Sequence, residues 1–346
     1  MTALPSPVAG GEPARPLWAL AAGVAVLGAL ALVWPGGAFG TSSPSETAAQ
    51  LVERTRRAAQ EHDFSGTTTV AWRDDGTLHR VEVDVTGDSG AIEARVGGNV
   101  VYDSGARTYV KDGSRWTGVA LTADGDDAPA PAAHWRLRVR EGKDVAGRAT
   151  DQVVATRRDG TVAQRLSIDV GTGLLLAREV LGRDGRVERS LEFTAISVAP
   201  VGTGVTAPSG VPTERASSIS RVPDGYEAPA RLGAAEMVTR AKERDGVVFS
   251  YSDGLFSTTV FEQRGVLDWG SLPDGGTSSE VHGTTMARWS EPSGSVLVWE
   301  RDGVVYTCVS DAPTDVFQAA IEDLTGSGRS ALQRAADFVL GPFGWN

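Results

Sequence analysis

The sequence predicts an α+β chain of two antiparallel sheet domains, a helix covering each, joined by a linker. Three observations predict it. Apolar residues alternate with polar ones from Gly66 to Val198, the period of half-buried strands. The alternation returns from Val247 to Val309. Between the two, residues 199–216 (APVGTGVTAPSGVPTERA) have the Pro, Gly, Ser and Thr content of a flexible connection, with a coil reach on the order of 20 Å. At 346 residues the chain is long enough for two modest domains.

Residues 1–40 read as an N-terminal tail followed by a membrane anchor or a signal segment. Leu17 to Trp34 carry no charge; as a helix they would span ~27 Å, just short of the ~30 Å hydrocarbon core. Arg15 precedes the segment and keeps the N-terminus inside, so the remainder lies outside the cytoplasmic membrane. Ala38-Phe39-Gly40 offers small residues to a signal peptidase. Retention of residues 17–34 as an anchor and cleavage near Gly40 both fit.

The first domain covers 41–198. Ser43, Pro44 and Glu46 form a capping box that starts a helix running to about His62. Its stripe of Ala48, Leu51, Val52, Thr55 and Ala59 should lie on a sheet. Turns at Asp74-Asp75-Gly76, Asp112-Gly113, Asp159-Gly160 and Asp184-Gly185 then divide strands, which sequential hairpins would arrange as one antiparallel meander. Val81, Val83 and Val85 share a face; so do Trp135, Leu137 and Val139, Leu166, Ile168 and Val170, and Leu191, Phe193 and Ala195. One helix covers only part of so large a face, which leaves a filled core or a cavity. The loop from Ala120 to Ala133, with Asp124, Asp126 and Asp127, interrupts the meander as a flap.

The second domain covers 217–324, with strands near 247–251, 255–262, 283–289, 295–300 and 304–309 and a closing helix from Pro313 to Leu324. Its centre is the hairpin DGVVFSYSDGLFSTTVFEQR, residues 245–264, turning at Ser252-Asp253-Gly254 and returning from Leu255. The tail 325–346 is amphipathic and either docks on the domain or lies on a membrane surface.

Net charge −11 argues against a nucleic-acid partner. Cys308 is alone, which excludes an internal disulfide and a zinc cluster; within an apolar run it reads as a small buried hydrophobe. His62, His79, His134 and His282 lack ligand spacing, so no metal site is expected. Gly87-Asp88-Ser89-Gly90 looks like a protease nucleophile string, but His62 ends a helix and His79 faces outward, so a hairpin turn accounts for it. No catalytic residue, enzyme activity or cofactor is expected. Arg136, Arg138 and Arg140 share one face of a strand: a solvated outer face, or a docking surface for an acidic peptide or lipid phosphate.

The block Tyr251-Ser252-Asp253-Gly254-Leu255-Phe256 resembles a hallmark of the MucB/RseB family, periplasmic regulators of the sigma-E envelope-stress response. Val222-Pro223-Asp224-Gly225-Tyr226 is similar to that family's entry into its small C-terminal domain, and Val145 to Asp151, Arg158 to Thr161 and Arg183 to Gly185 follow its N-terminal order. The resemblance spans roughly residues 46–324. It implies a LolA-like antiparallel half-barrel with an acyl-chain cavity, for which Trp72, Val81, Val83, Val85, Leu166, Ile168 and Phe193 are the lining candidates. It also implies a partner, the extracytoplasmic part of a transmembrane anti-sigma factor, and a lipid-like ligand that releases it; Arg136, Arg138 and Arg140, read from their own pattern, are the candidate contacts for that partner. A lipid or lipoprotein carrier of the envelope is the alternative function.

Overall fold

The computed structural model describes residues 47–326, apart from 89, 97–98, 104–106, 113–114, 122–130, 200–216, 244–245 and 293. The predicted anchor, most of the flap, the linker beyond Ala199 and nearly all of the tail lie outside these residues. No helix of the described residues is long and apolar enough to cross a membrane.

Helix α1 (Ala48–Glu61) opens on Thr47, not on Ser43. The Thr47 hydroxyl accepts from Gln50 N at 3.3 Å while the Gln50 side chain accepts from Thr47 N at 2.8 Å. Thr47-x-x-Gln50 satisfies the same reciprocal pattern four residues later. Leu51, Val52, Ala58 and Ala59 are buried on its inner face.

Eleven antiparallel strands follow: β1 (Asp63–Asp74), β2 (Thr77–Asp88), β3 (Ala91–Val96), β4 (Asn99–Asp103), β5 (Arg107–Asp112), β6 (Arg115–Leu121), β7 (Arg136–Glu141), β8 (Thr150–Thr156), β9 (Val162–Asp169), β10 (Leu175–Leu181) and β11 (Val187–Ala199). Their order is β6-β5-β4-β3-β2-β1-β11-β10-β9-β8-β7. The expected single meander is therefore two meanders, joined in the middle where β1 pairs with β11. The chain leaves β6 at one edge and re-enters as β7 at the other. Helix α1 touches β2, β7 and β8. In a flat sheet, five spacings of about 4.8 Å would put β2 and β8 ~24 Å apart, twice the ~10–12 Å width of a helix. The sheet therefore wraps around α1.

A bulge shifts the β1–β11 register between Thr67 and Thr68, so Thr194 is extra. Ala195 is consequently exposed, and Ile196 and Val198 take the inner side in its place. Gly66 faces this bulge, where a Cβ would collide with the Ala195 carbonyl. Val170, expected inside, lies past the end of β9 and is half exposed. His79 pairs with Trp72 and shares the Val81 side of β2, not the outward side, but stands exposed beyond the covered area.

The second sheet holds β12 (Ser217–Ser218), β13 (Arg231–Leu232), β14 (Ala235–Glu243), β15 (Gly246–Ser252), β16 (Ser257–Arg264), β17 (Thr277–Val281), β18 (Thr284–Glu291), β19 (Gly294–Arg301) and β20 (Val304–Ser310), in the order β12-β14-β15-β16-β20-β19-β18-β17 with β13 on β14. Helix α2 (Thr314–Gly326) closes it with Phe317, Ala320, Ile321 and Leu324 buried. Cys308 is fully buried, and burial pushes its thiol well above the ordinary range. One continuous apolar cluster runs from α1 and the first sheet into Tyr251, Leu255, Phe256 and α2. The two domains share a core.

Candidate functional site

Ser252 pairs with Ser257, so the turn of the β15–β16 hairpin is Asp253–Phe256. Leu255 and Phe256, expected on the return strand, form the tip. Asp253 Oδ1 accepts from Leu255 N at 2.9 Å and Phe256 N at 2.8 Å. Ser252 Oγ donates to Phe256 O at 3.1 Å and accepts from Gly254 N at 3.0 Å. Gly254 has φ +89°, a conformation that costs a side-chain-bearing residue strain.

This tip is seated in the first domain. Arg56 of α1 donates to Gly254 O at 2.6 Å. The Phe256 ring stands edge-on to Trp135 at 5.3 Å, with the Arg178 guanidinium 5.6 Å from its centroid. Leu255 and Phe256 are both 2% exposed. The residues that carry the family resemblance are thus the plug of the interdomain joint.

Charged groups of the first sheet and its turns hold the segment around the plug and the start of α2. Arg178 donates to Asp311 Oδ2 at 2.9 Å, while Asp311 Oδ1 accepts from Ser257 N at 2.6 Å. With the Gln164 amide oxygen turned toward it, Arg178 also donates there from Nε at 2.6 Å. Arg189 donates to the carbonyls of Asp311 and Ala312 at 2.9 and 2.5 Å. Arg157 grips Asp315 with two bonds, at 3.1 and 2.8 Å, and Arg183 adds a third at 2.9 Å. Glu188 accepts from Thr314 N and Oγ1 at 2.9 and 3.0 Å, a carboxylate at the positive end of α2.

Burial dominates the electrostatics. It pushes the Asp253 carboxyl up to about 6, against the two backbone N–H groups that favour its charged form; Trp135 Nε1 stands near it without completing a hydrogen bond. Burial lowers Arg189 to about 10 and lowers Arg178 as well, with Asp311 opposing the latter change. At about 10, the Arg189 guanidinium remains charged at neutral pH. Beside the joint, a cavity of about 220 Å³ is lined by Arg73, Asp74, Glu188, Arg189, Arg288 and Thr314.

Among the lining candidates, Val83, Val85, Leu166, Ile168 and Phe193 come together, all buried in the shared cluster. Val81 packs at its margin. Trp72 stands apart and stacks on His79 at 5.2 Å. Arg136, Arg138 and Arg140 are exposed on β7, directly after the Trp135 that receives the plug. Among the described residues, no three or more His, Cys, Asp and Glu are grouped to hold a metal ion. Sequence reasoning missed Arg178, Arg189, Arg157, Asp311 and Asp315. One signal was available: Arg178 interrupts the apolar run Leu174 to Leu181, where an inward charge demands a partner from elsewhere.

Residues 47–214 match the MucB/RseB N-terminal domain family. The first domain is a MucB/RseB N-terminal domain. The match includes every strand of the wrapped sheet. Among solved structures, the chain is similar to the MucA/MucB complex of Pseudomonas aeruginosa (19% identity, 79% of this chain and 96% of that one, TM-score 0.43). It is similar also to MucB solved alone (20%, 79% and 95%, TM-score 0.44) and to the Mycobacterium tuberculosis lipoprotein LppX (12%, 46% and 97%, TM-score 0.30). At these scores the structural neighbours add nothing to the assignment, which rests on the family match. No curated protein matches the chain.

Proposed function

We propose that this chain is an extracytoplasmic negative regulator of an alternative sigma factor. It binds the outer part of a transmembrane anti-sigma factor and shields it from regulated proteolysis. The observation that carries this reading is the MucB/RseB N-terminal domain over residues 47–214. MucB itself has been solved bound to MucA(peri). Arg136, Arg138 and Arg140 are the proposed contact surface, being exposed cations on a chain of net charge −11. The N-terminal segment 17–34 would hold the protein at the membrane, or cleavage near Gly40 would free it.

A lipid-like ligand supplies release. The inner face formed by Val83, Val85, Leu166, Ile168 and Phe193 belongs to the same cluster as Leu255 and Phe256. An acyl chain entering there gains about 0.8 kcal/mol for each buried methylene and must part this packing. Ligand binding is thereby coupled to the joint, and a useful switch needs only ~1–3 kcal/mol of differential affinity between the two forms. The alternative, an envelope lipid or lipoprotein carrier, uses the same face; the plug of the second domain, which a plain carrier does not need, favours the regulator.

Affinity purification of the full chain from its own membranes, followed by mass spectrometry, decides between them. A co-eluting single-pass anti-sigma factor supports the regulator. Co-elution of lipid or acylated protein alone assigns the carrier.

A further inference from the structure

Strand β7 is one of the two edges of the eleven-stranded sheet: it pairs with β8, and no described strand pairs with its other side. A strand edge left open presents a row of backbone donors and acceptors, a template for another strand. The two faces of β7 differ in chemistry. On the outer face Arg136, Arg138 and Arg140 are all exposed, and the guanidiniums of Arg136 and Arg138 have no hydrogen bond or ion pair among the described residues. Arg140 is held by Gln152 of β8, which keeps it on that face. On the inner side Leu137 packs at the margin of the core and Val139 is 39% exposed.

Resting on the reading of a protein partner given above, we propose that the partner docks by adding a strand to the free edge of β7. The segment that fits has alternating acidic and apolar residues. Directly opposed side chains on neighbouring strands lie about 4.5–5.5 Å apart, so every second residue of the incoming strand meets an arginine. The residues between them extend the apolar side past Leu137 and Val139. Six residues of β7, Arg136–Glu141, set the length of the match. Charge alone would accept any acidic peptide; strand addition demands the alternation and free backbone N–H groups.

The test uses the full chain in detergent micelles and three fluorescent peptides of about ten residues. One alternates Glu with Val, one has the same composition with all Glu in a block, and one is the alternating peptide N-methylated at every second residue on its pairing edge. The alternating peptide should bind at least about tenfold more tightly than the other two, since each lost backbone bond or misplaced pair weakens it. Combined Arg136→Ala, Arg138→Ala and Arg140→Ala should weaken that binding by about tenfold or more and flatten its salt dependence. Equal binding of the N-methylated peptide overturns strand addition, as does binding of none of the three. Self-association of the chain that disappears in the triple variant would give the edge to a second copy instead. Failure here with an anti-sigma factor still co-purifying removes the docking mode and leaves the regulator; peptide binding without such a partner removes the regulator and leaves the edge.

Discussion

At the scale of single residues, Asp253 joins fold and function. Burial in the plug pushes its carboxyl up from an ordinary value near 3.8 to about 6. Between those values the native state holds more protons than the unfolded state, so this group's contribution to stability falls as pH rises from about 4 to about 6. Asp253→Asn should remove that slope, so that its stability relative to the parent chain rises through the window and is flat outside it in urea unfolding. Asp253→Ala should destabilise by ~1–3 kcal/mol for each buried N–H left unpaired, those of Leu255 and Phe256. A parallel pH profile for Asn and parent would show that Asp253 is not the titrating group. The letters Ser-Asp-Gly predicted a turn at this place, but not that its aspartate would be 1% exposed. Burial came from the other domain, which local spacing does not report.

At the scale of elements, what was legible followed from local chemistry. Asp-Gly pairs marked turns: Asp302 and Gly303, at φ 55° and 74°, turn β19 into β20, and Asp75 and Gly76 do the same for β1 and β2. Strand β14, AEMVTRAKE, was not expected because its residues are mostly helix formers. It is a strand because β15 is buried along its whole length and needs a neighbour on each side. The bulge at Thr194 reversed the expected face of Ala195 for a similar reason: a one-residue insertion in the pairing leaves no mark on alternation. The hairpin tip can be tested as an element. Phe256→Ala removes the ring that contacts Trp135 and Arg178, and should cost about 3–5 kcal/mol in denaturant unfolding, with Phe256→Leu recovering much of it. An unchanged midpoint for Ala would mean that the plug does not hold the domains together.

At the scale of the whole molecule, two antiparallel sheets were legible, but their strand order and their joint were not. The Arg178–Asp311 pair closes a separation of 133 residues, and no motif spacing signals a contact of that range. Arg178→Ala leaves a buried carboxylate without its cation, a change worth about 3–5 kcal/mol. Amide exchange should then quicken in β10, the hairpin tip and the first turn of α2, while β3 and β4 keep their protection; uniform acceleration across both sheets would deny the joint a separate identity. The sealed thiol of Cys308 makes the same joint open to chemistry. Since the one native cysteine is fully buried and held protonated, its labelling by a thiol reagent must wait for the core around it to open. The labelling rate would then follow open molecules directly, in membranes and with every native residue in place.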